Sequence, residues 1–263
     1  MFTTLEIEAQ ASVAYVWMNR PEVHNAFNAQ LISDLNATFE QLNTEESVRV
    51  IVLGGRGKSF SAGADLNWMK AAGEASVEAN QADALRLATM LHSIATCSKP
   101  TIARVHGAAL GGGMGLASAC DICIASEAAS FATSEVKFGI IPATISPYVL
   151  RAIGERQAYR YFQTAERINA QRALQIGLVH ELVAAEHLDA KVQEIVAALL
   201  AGGPQAQAAA KQLIVAVAHK PVTESVLVDT AERIAQLRST PEAREGLAAF
   251  LEKRPASWIN PKE

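Results

Sequence analysis

Val105-His106-Gly107-Ala108-Ala109-Leu110-Gly111-Gly112-Gly113-Met114-Gly115-Leu116 is the stretch whose reading decides the fold. An apolar, strand-like run from Thr101 to Val105 leads into it. Three consecutive glycines and then an alanine-rich, helix-like run to Ala119 follow. A strand, a glycine turn and a helix N-terminus leave backbone N–H groups unpaired and pointing outward. Such donors can hold a phosphate, a carboxylate or a developing oxyanion. A second small-residue loop, Ser59-Phe60-Ser61-Ala62-Gly63-Ala64-Asp65-Leu66, follows a second strand-like run, Val50-Ile51-Val52-Leu53. A tight crossover would explain residues 111–113 taken alone. Two such loops after two strands could aim two N–H groups at one oxygen.

Outward from these loops the pattern alternates strands with helices. Leu5-Glu6-Ile7-Glu8 and Val13-Ala14-Tyr15-Val16-Trp17-Met18 read as a hairpin. Leu31, Leu35, Phe39 and Leu42 stand at helical spacing behind Asn28, a candidate N-cap. Arg49 to Leu53 is predicted as a strand. Residues 76–96 are predicted as a long helix with Leu85, Ala88, Leu91 and Ile94 on one face, stopped by Lys99-Pro100. Strands are expected at Ile122–Ala125, Ser130–Ala132 and Leu178–Val183, with a loop at Gly139–Ala143. From about residue 185 the chain reads as helical, broken at Gly202-Gly203-Pro204, Lys220-Pro221 and Thr240-Pro241. The succession argues for an α/β fold. No linker marks two independent domains.

The chain has 263 residues, half of them hydrophobic, and a net charge of −4 with acids and bases spread along it. Nucleic-acid binders show clustered basic charge, and none appears here. The three cysteines, Cys97, Cys120 and Cys123, give no disulfide framework and suggest a reducing, cytoplasmic setting. Cys120-x-x-Cys123 lacks further cysteine partners and reads as a pair of packed thiols rather than a redox or metal motif. The histidines, His92 and His106 among them, show no metal spacing, so no metal is expected. No basic region precedes an apolar stretch at the N-terminus, and no apolar run reaches membrane-spanning length, which is about 20 residues.

In this order and spacing the motifs resemble the enoyl-CoA hydratase/isomerase, or crotonase, family over nearly the whole chain. They are Asn19-Arg20-Pro21 with Asn25-Ala26, then Phe60 to Leu66. Lys99-Pro100, Gly107-x-x-x-Gly111-Gly112-Gly113 and Cys120-Asp121-Ile122 come next. Ser134-Glu135-Val136, Gly139-Ile140-Ile141-Pro142, Ala173-x-x-x-Gly177-Leu178-Val179 and Phe250-Leu251-Glu252-Lys253-Arg254 complete the set. The resemblance implies a crotonase-like spiral of ββα repeats. It implies a core over residues 1–200 carrying an acyl-CoA site, and a helical region over 201–263 for oligomerisation and site closure. It also implies a homotrimer or dimer of trimers, with neither nucleic acid nor membrane as partner. Coenzyme A enters as part of the substrate, so no separate cofactor is implied.

The family's chemistry passes through a thioester enolate. Its two oxyanion donors map to the N–H groups of Ala64 and Gly112. Hydratases of the family commonly carry two glutamates. One maps to Gly115 and is therefore missing; the other maps to Glu135. Asp65 is expected to hydrogen-bond its own loop. Val23, His24, Ala26, Ala62 and Leu66 map to the CoA-binding positions, and Lys253 to a lysine that can reach a CoA phosphate. Two lysines used for phosphates in relatives are replaced by Glu22 and Asn67. The loop Ile141 to Val149 and Leu116-Ala117-Ser118 resemble bacterial members acting on 3-methylglutaconyl-type, branched or carboxylated enoyl-CoAs in leucine or terpenoid breakdown. Thr144, Ser146, Lys70 and Arg86 are candidates to meet a carboxylated acyl group. The expectation is an enoyl-CoA hydratase. The alternatives are a Δ3–Δ2-enoyl-CoA isomerase or decarboxylase on the same site, and a non-catalytic or RNA-binding relative.

Overall fold

Val13, Tyr15 and Trp17 alternate with Ala14, Val16 and Met18, and only the second set joins the main core. This period of two forms β2 (Val13–Met18), antiparallel to β1 (Leu5–Gln10) with Leu5 opposite Met18. The computed structural model describes residues 2–259. The parallel neighbours of β2 are β3 (Val50–Gly55), β4 (Thr101–Val105), β6 (Ile122–Ser126) and β9 (Glu181–Val183). Together they make a six-stranded sheet in the order β1-β2-β3-β4-β6-β9. All six residues of β3 are buried, as expected for a parallel strand covered on both faces.

A second, three-stranded sheet pairs β5 (Ala108–Leu110) with β7 (Ser130–Ala132) in parallel, and β7 with β8 (Ile168–Asn169) in antiparallel fashion. The chain repeats one excursion. It leaves the large sheet, touches the small one, and enters a helix. So β4 and β5 lead to α4 (Gly112–Ala119), and β6 and β7 lead to α5 (Ser146–Thr164). After β3, Ser61 makes an isolated parallel bridge to Ala109 before α2 (Leu66–Glu74) and α3 (Val77–Thr96). These excursions are the ββα turns that the sequence led us to expect.

Helix α1 (Ala29–Thr44) starts where the Asn28 side chain accepts the Leu31 N–H at 2.8 Å. Its Leu31, Leu35 and Phe39 are almost fully buried in the core cluster with Met90, Leu91 and Ile94 of α3. Each such aliphatic side chain contributes about 1.5–3 kcal/mol by burial. The stripe foreseen on α3 needs correction. Leu85 is 65% exposed, and Leu87, Met90, Leu91 and Ile94 are the buried residues. A strict three-residue spacing drifts on a helix of 3.6 residues per turn, so Leu85 ends on the side away from Ile94. The short elements β5, β8 and α2 were not foreseen, and the last large-sheet strand starts at Glu181 rather than Leu178.

Helix α6 (Ala170–Gln175) precedes β9. Beyond it come α7 (Leu188–Ala201), α8 (Pro204–Val217), α9 (Glu224–Arg238) and α10 (Pro241–Leu251), broken where the sequence places its Gly-Pro and Pro signals. One compact unit runs to Cys97 and from Thr101 to Gln193; the other takes Ser98–Pro100 and the chain from Glu194 onward. In the second unit the Glu242 carboxylate accepts the N–H groups of Gln205 and Ala206, both at 2.9 Å, at the start of α8. Among the described residues no helix is long and apolar enough to cross a membrane. All three cysteines are free and buried, and burial pushes the Cys123 thiol up to about 12, so it stays protonated and inert.

Candidate active site

Backbone pairing brings the two small-residue loops together. Ser61 N–H donates to Ala108 O at 3.0 Å, and Leu110 N–H donates to Ser61 O at 2.9 Å. On its other side the upstream loop is zipped to Phe27: Phe27 N–H donates to Gly63 O at 2.6 Å and Asp65 N–H to Phe27 O at 2.9 Å. Gly111 N–H donates to Ala132 O at 2.8 Å. A Cβ built on Gly63 would lie 2.8 Å from Leu110 O and 3.8 Å from Gly111 Cα, so backbone meets backbone here. Gly111, with φ 49° and ψ −117°, and Gly63, with φ 90°, hold conformations that side chains resist.

The N–H groups of Ala64 and Gly112 flank this junction. Gly112 is the first residue of α4, so its N–H has no intrahelical acceptor. Among the described residues neither N–H donates a hydrogen bond. These are the two donors the sequence comparison singled out.

Glu135 opens a short 3-10 helix, Glu135–Phe138, just after β7. Its Oε1 would stand 3.2 Å from a Cβ on Gly111, so the carboxyl lies over the glycine turn. Its Oε2 is buried with no hydrogen-bond partner. Burial raises the pKa of this carboxyl above the ordinary glutamate range, against a weaker opposing backbone hydrogen bond. A poorly solvated carboxylate at a bend in the backbone is a proton acceptor in waiting.

The loop geometry is held from behind. The Asn25 side chain, fully buried, donates to the carbonyls of Arg56, Ser59 and Phe60 at 2.9, 2.9 and 3.2 Å, and accepts the Arg20 N–H at 2.9 Å. His24 and Asn25 both have left-handed backbones, φ 55° and 54°, a conformation that costs each of them energy. The Arg20 guanidinium donates to Ala26 O and, at 3.0 Å, to Asp65 Oδ2. Asp65 also caps α2 by accepting the Asn67 N–H at 2.9 Å. Burial works to raise the Asp65 carboxyl, but these donors outweigh it and hold it below the usual range. Asp65 thus serves its own loop. Asn25→Ala is expected to lower the unfolding free energy by about 1–3 kcal/mol. A smaller urea midpoint at unchanged slope would register the loss.

The positions matched to CoA binding fall on two segments that touch. Ala62 N–H donates to His24 O at 2.9 Å, and Ser61 Oγ donates to Asn25 O at 2.8 Å. Val23 is half-buried, His24 exposed with Nδ1 3.2 Å from Ser59 Oγ, Ala26 buried, and Ala62 half-buried. Leu66, at the start of α2, is 81% exposed. Lys253 belongs to the second unit, exposed just beyond α10. Of the residues considered for a carboxylated acyl group, Ser146 Oγ donates to Ala143 O at 2.8 Å and Arg86 pairs with Asp83 at 2.7 Å.

Three site features had no local signal. Phe27 lies under Gly112, Ile145 lies against Gly115, and the Asn25 side chain gathers three carbonyls. A cleft of about 430 Å3 lies elsewhere, lined by Trp17, Arg56, Arg104, His106 and Asp189 among others. Its arginines stack on Trp17 at 4.4 and 5.5 Å and are already paired, Arg56 with Glu6 and Glu8, Arg104 with Asp189. None of Ala64, Gly112 and Glu135 lines it. Among the described residues no group of three His, Cys, Asp or Glu side chains could hold a metal ion.

A family model described as enoyl-CoA hydratase/isomerase matches residues 8–261. The chain is 32% identical over 268 residues to a crotonyl-CoA hydratase of Syntrophomonas wolfei, covering 98% of this chain and 99% of that protein. Among solved structures, it is similar to an enoyl-CoA hydratase from Shewanella pealeana, with TM-score 0.95, 43% identity and coverage of 98% and 96% of the two chains. It is also similar to an enoyl-CoA hydratase/isomerase from Marinobacter aquaeolei, with TM-score 0.92, 32% identity and coverage of 98% and 99%.

Proposed function

The chain belongs to the enoyl-CoA hydratase/isomerase family, and we propose that it adds water to an α,β-unsaturated acyl-CoA with Glu135 as its proton carrier. One observation carries this reading: a buried carboxyl without a hydrogen-bond partner stands over a glycine turn beside two unpaired backbone N–H groups. The thioester oxygen sits between the N–H groups of Ala64 and Gly112. As water bonds to the β-carbon, the C=C electrons move into the thioester and charge collects on that oxygen. Donors aimed at this charge lower the barrier because they need no reorganisation when it forms. Glu135 takes the proton from the attacking water and returns it to the α-carbon, so the atoms of one water molecule add across the double bond.

CoA runs along Val23, His24, Ala26, Ala62 and Leu66 in this proposal, with Lys253 reaching a phosphate. CoA is part of the substrate, and no further cofactor is invoked. The acyl group is of the 3-methylglutaconyl type, a reading supported by the loop from Ile141 to Val149 and by Leu116-Ala117-Ser118. The protein works in the cytoplasm as a trimer or pair of trimers. Exposed Leu227, Val228, Phe250 and Leu251 on the C-terminal helices support the assembly, because apolar surface of this kind seeks cover.

A second reading is Δ3–Δ2 isomerisation. The Gly115 position carries no acid and is closed by Ile145, which favours chemistry that relocates a single proton. Crotonyl-, 3-methylglutaconyl- and 3-enoyl-CoA offered in parallel, with products separated, distinguish the two. Loss of enone absorbance and a 3-hydroxyacyl product on the methylglutaconyl thioester are expected. Conversion of the 3-enoyl thioester to its conjugated isomer without hydration would replace the hydratase reading by the isomerase one.

A further inference from the structure

Gly111 and Gly115 stand one helical turn apart, linked by the Gly115 N–H donating to Gly111 O at 3.1 Å, so anything added at either projects from the same face. The Glu135 carboxyl occupies that face at the Gly111 end. At the Gly115 end stands Ile145, 2% exposed and placed just before α5. A Cβ on Gly115 would fall 2.3 Å from Ile145 Cγ2 and 2.8 Å from its Cβ, well inside van der Waals contact. The space a side chain at 115 would need is therefore filled from a distant part of the sequence.

We infer that Ile145 is a specificity-determining residue that, by filling the place of a side chain at 115, denies this face a second proton-transferring group. The inference rests on the reading of Glu135 as proton carrier and deepens it. Hydration asks for two proton movements, one off water and one onto the α-carbon. Isomerisation asks for one proton off the α-carbon and one onto the γ-carbon. With a single carboxyl the same proton serves both steps of either reaction. A second carboxyl one turn away would divide the work of hydration, letting one group take the proton from water while the other protonates the α-carbon. It would leave the relocation of one proton unassisted. Ile145 thus biases the balance between the two reactions without touching the thioester.

The test is a double-mutant cycle with a product readout. Gly115→Ala should lower Tm by about 3–10 °C, the range expected for overpacking a filled site. Ile145→Ala removes Cγ2 but keeps the Cβ, so it should relieve the penalty only in part. Ile145→Gly removes both contacts, and Gly115→Ala in that background should cost almost nothing further. Gly115→Glu combined with Ile145→Gly should raise the ratio of crotonyl-CoA hydration to 3-enoyl-CoA isomerisation about tenfold over Ile145→Gly alone. A purely structural contact would move Tm and leave this ratio unchanged. The proposal is overturned if Gly115→Ala is tolerated at wild-type Tm, if its cost is the same in both backgrounds, or if the folded Glu-bearing variant keeps the ratio of its parent. Glu135→Gln measured alongside separates the two ideas. Full turnover there removes the proton carrier itself, whereas an inactive Glu135→Gln with an additive cycle removes only the role of Ile145.

Discussion

Glu135→Gln should cut turnover by about 100- to 10,000-fold, the usual worth of a positioned general acid–base group, and at the same time raise thermal stability at neutral pH. The amide has nearly the shape of the carboxylate but cannot accept and return a proton. The stability gain comes from the burial that makes the group useful. Desolvation disfavours the charged form of Glu135, so its folded pKa stands above its unfolded value, which is about 4.3 for a glutamate. Between the two values the folded protein binds more protons than the unfolded one. Its contribution to stability is then complete below the unfolded pKa and is lost as pH rises through the folded pKa. Near pH 7 the wild type holds a charged, unpartnered oxygen in the interior, and glutamine removes that charge. The Tm advantage of the variant should therefore grow from acidic to neutral pH. In the wild type, the acidic limb of kcat/KM should lie above the ordinary glutamate range, because the carboxyl must be ionised to take a proton. Calorimetry and a pH–rate profile on the same preparation decide the matter. Unchanged turnover, or a variant less stable than wild type at neutral pH, would remove Glu135 from the proposed chemistry.

Gly112→Ala should be nearly as damaging, although it alters no titratable group. Its new Cβ would lie 2.3 Å from Phe27 Cε2 and 2.7 Å from Cδ2, and Phe27 is only 1% exposed, so the ring has nowhere to withdraw. Either the start of α4 shifts or Phe27 does. Movement of Phe27 pulls on the Ala64 loop, because its backbone pairs with Gly63 O and the Asp65 N–H. One methyl group therefore misaims both proposed oxyanion donors. We expect kcat/KM to fall by about 100- to 1,000-fold, as when an oxyanion donor is lost, with about 1–3 kcal/mol of overpacking cost. Since the charge appears in the transition state, kcat should drop more than KM rises. Wild-type kcat/KM in a folded variant would detach Gly112 from the oxyanion.

Much of the architecture could be read directly because its signals are local. Asn28 announces α1 within three residues of its start, and the alternation of residues 13–18 declares a strand. The strand and triple glycine around Val105 to Gly113 announce a turn ending in a helix. What resisted reading was short or non-local. β5 has three residues and exists because it pairs with β7; no periodicity can show in so few positions. Leu85 was misassigned because apolar composition does not say which side of a helix faces the core. Asn25 was visible as part of a motif, but its grip on Arg56, Ser59 and Phe60 was not.

From the sequence alone came the alternation of strands and helices, the two glycine-bearing loops, the family resemblance and the position of one catalytic candidate at 135. Each is a property of neighbouring residues or of motifs in fixed order. Only the tertiary structure decided that the two loops meet along a short backbone ladder, that the Glu135 carboxyl is dry and unpartnered, and that Phe27 and Ile145 fill the space beside Gly112 and Gly115. The physical reason is that close packing and desolvation are set by groups far apart in the chain, so they exist only once the chain has folded.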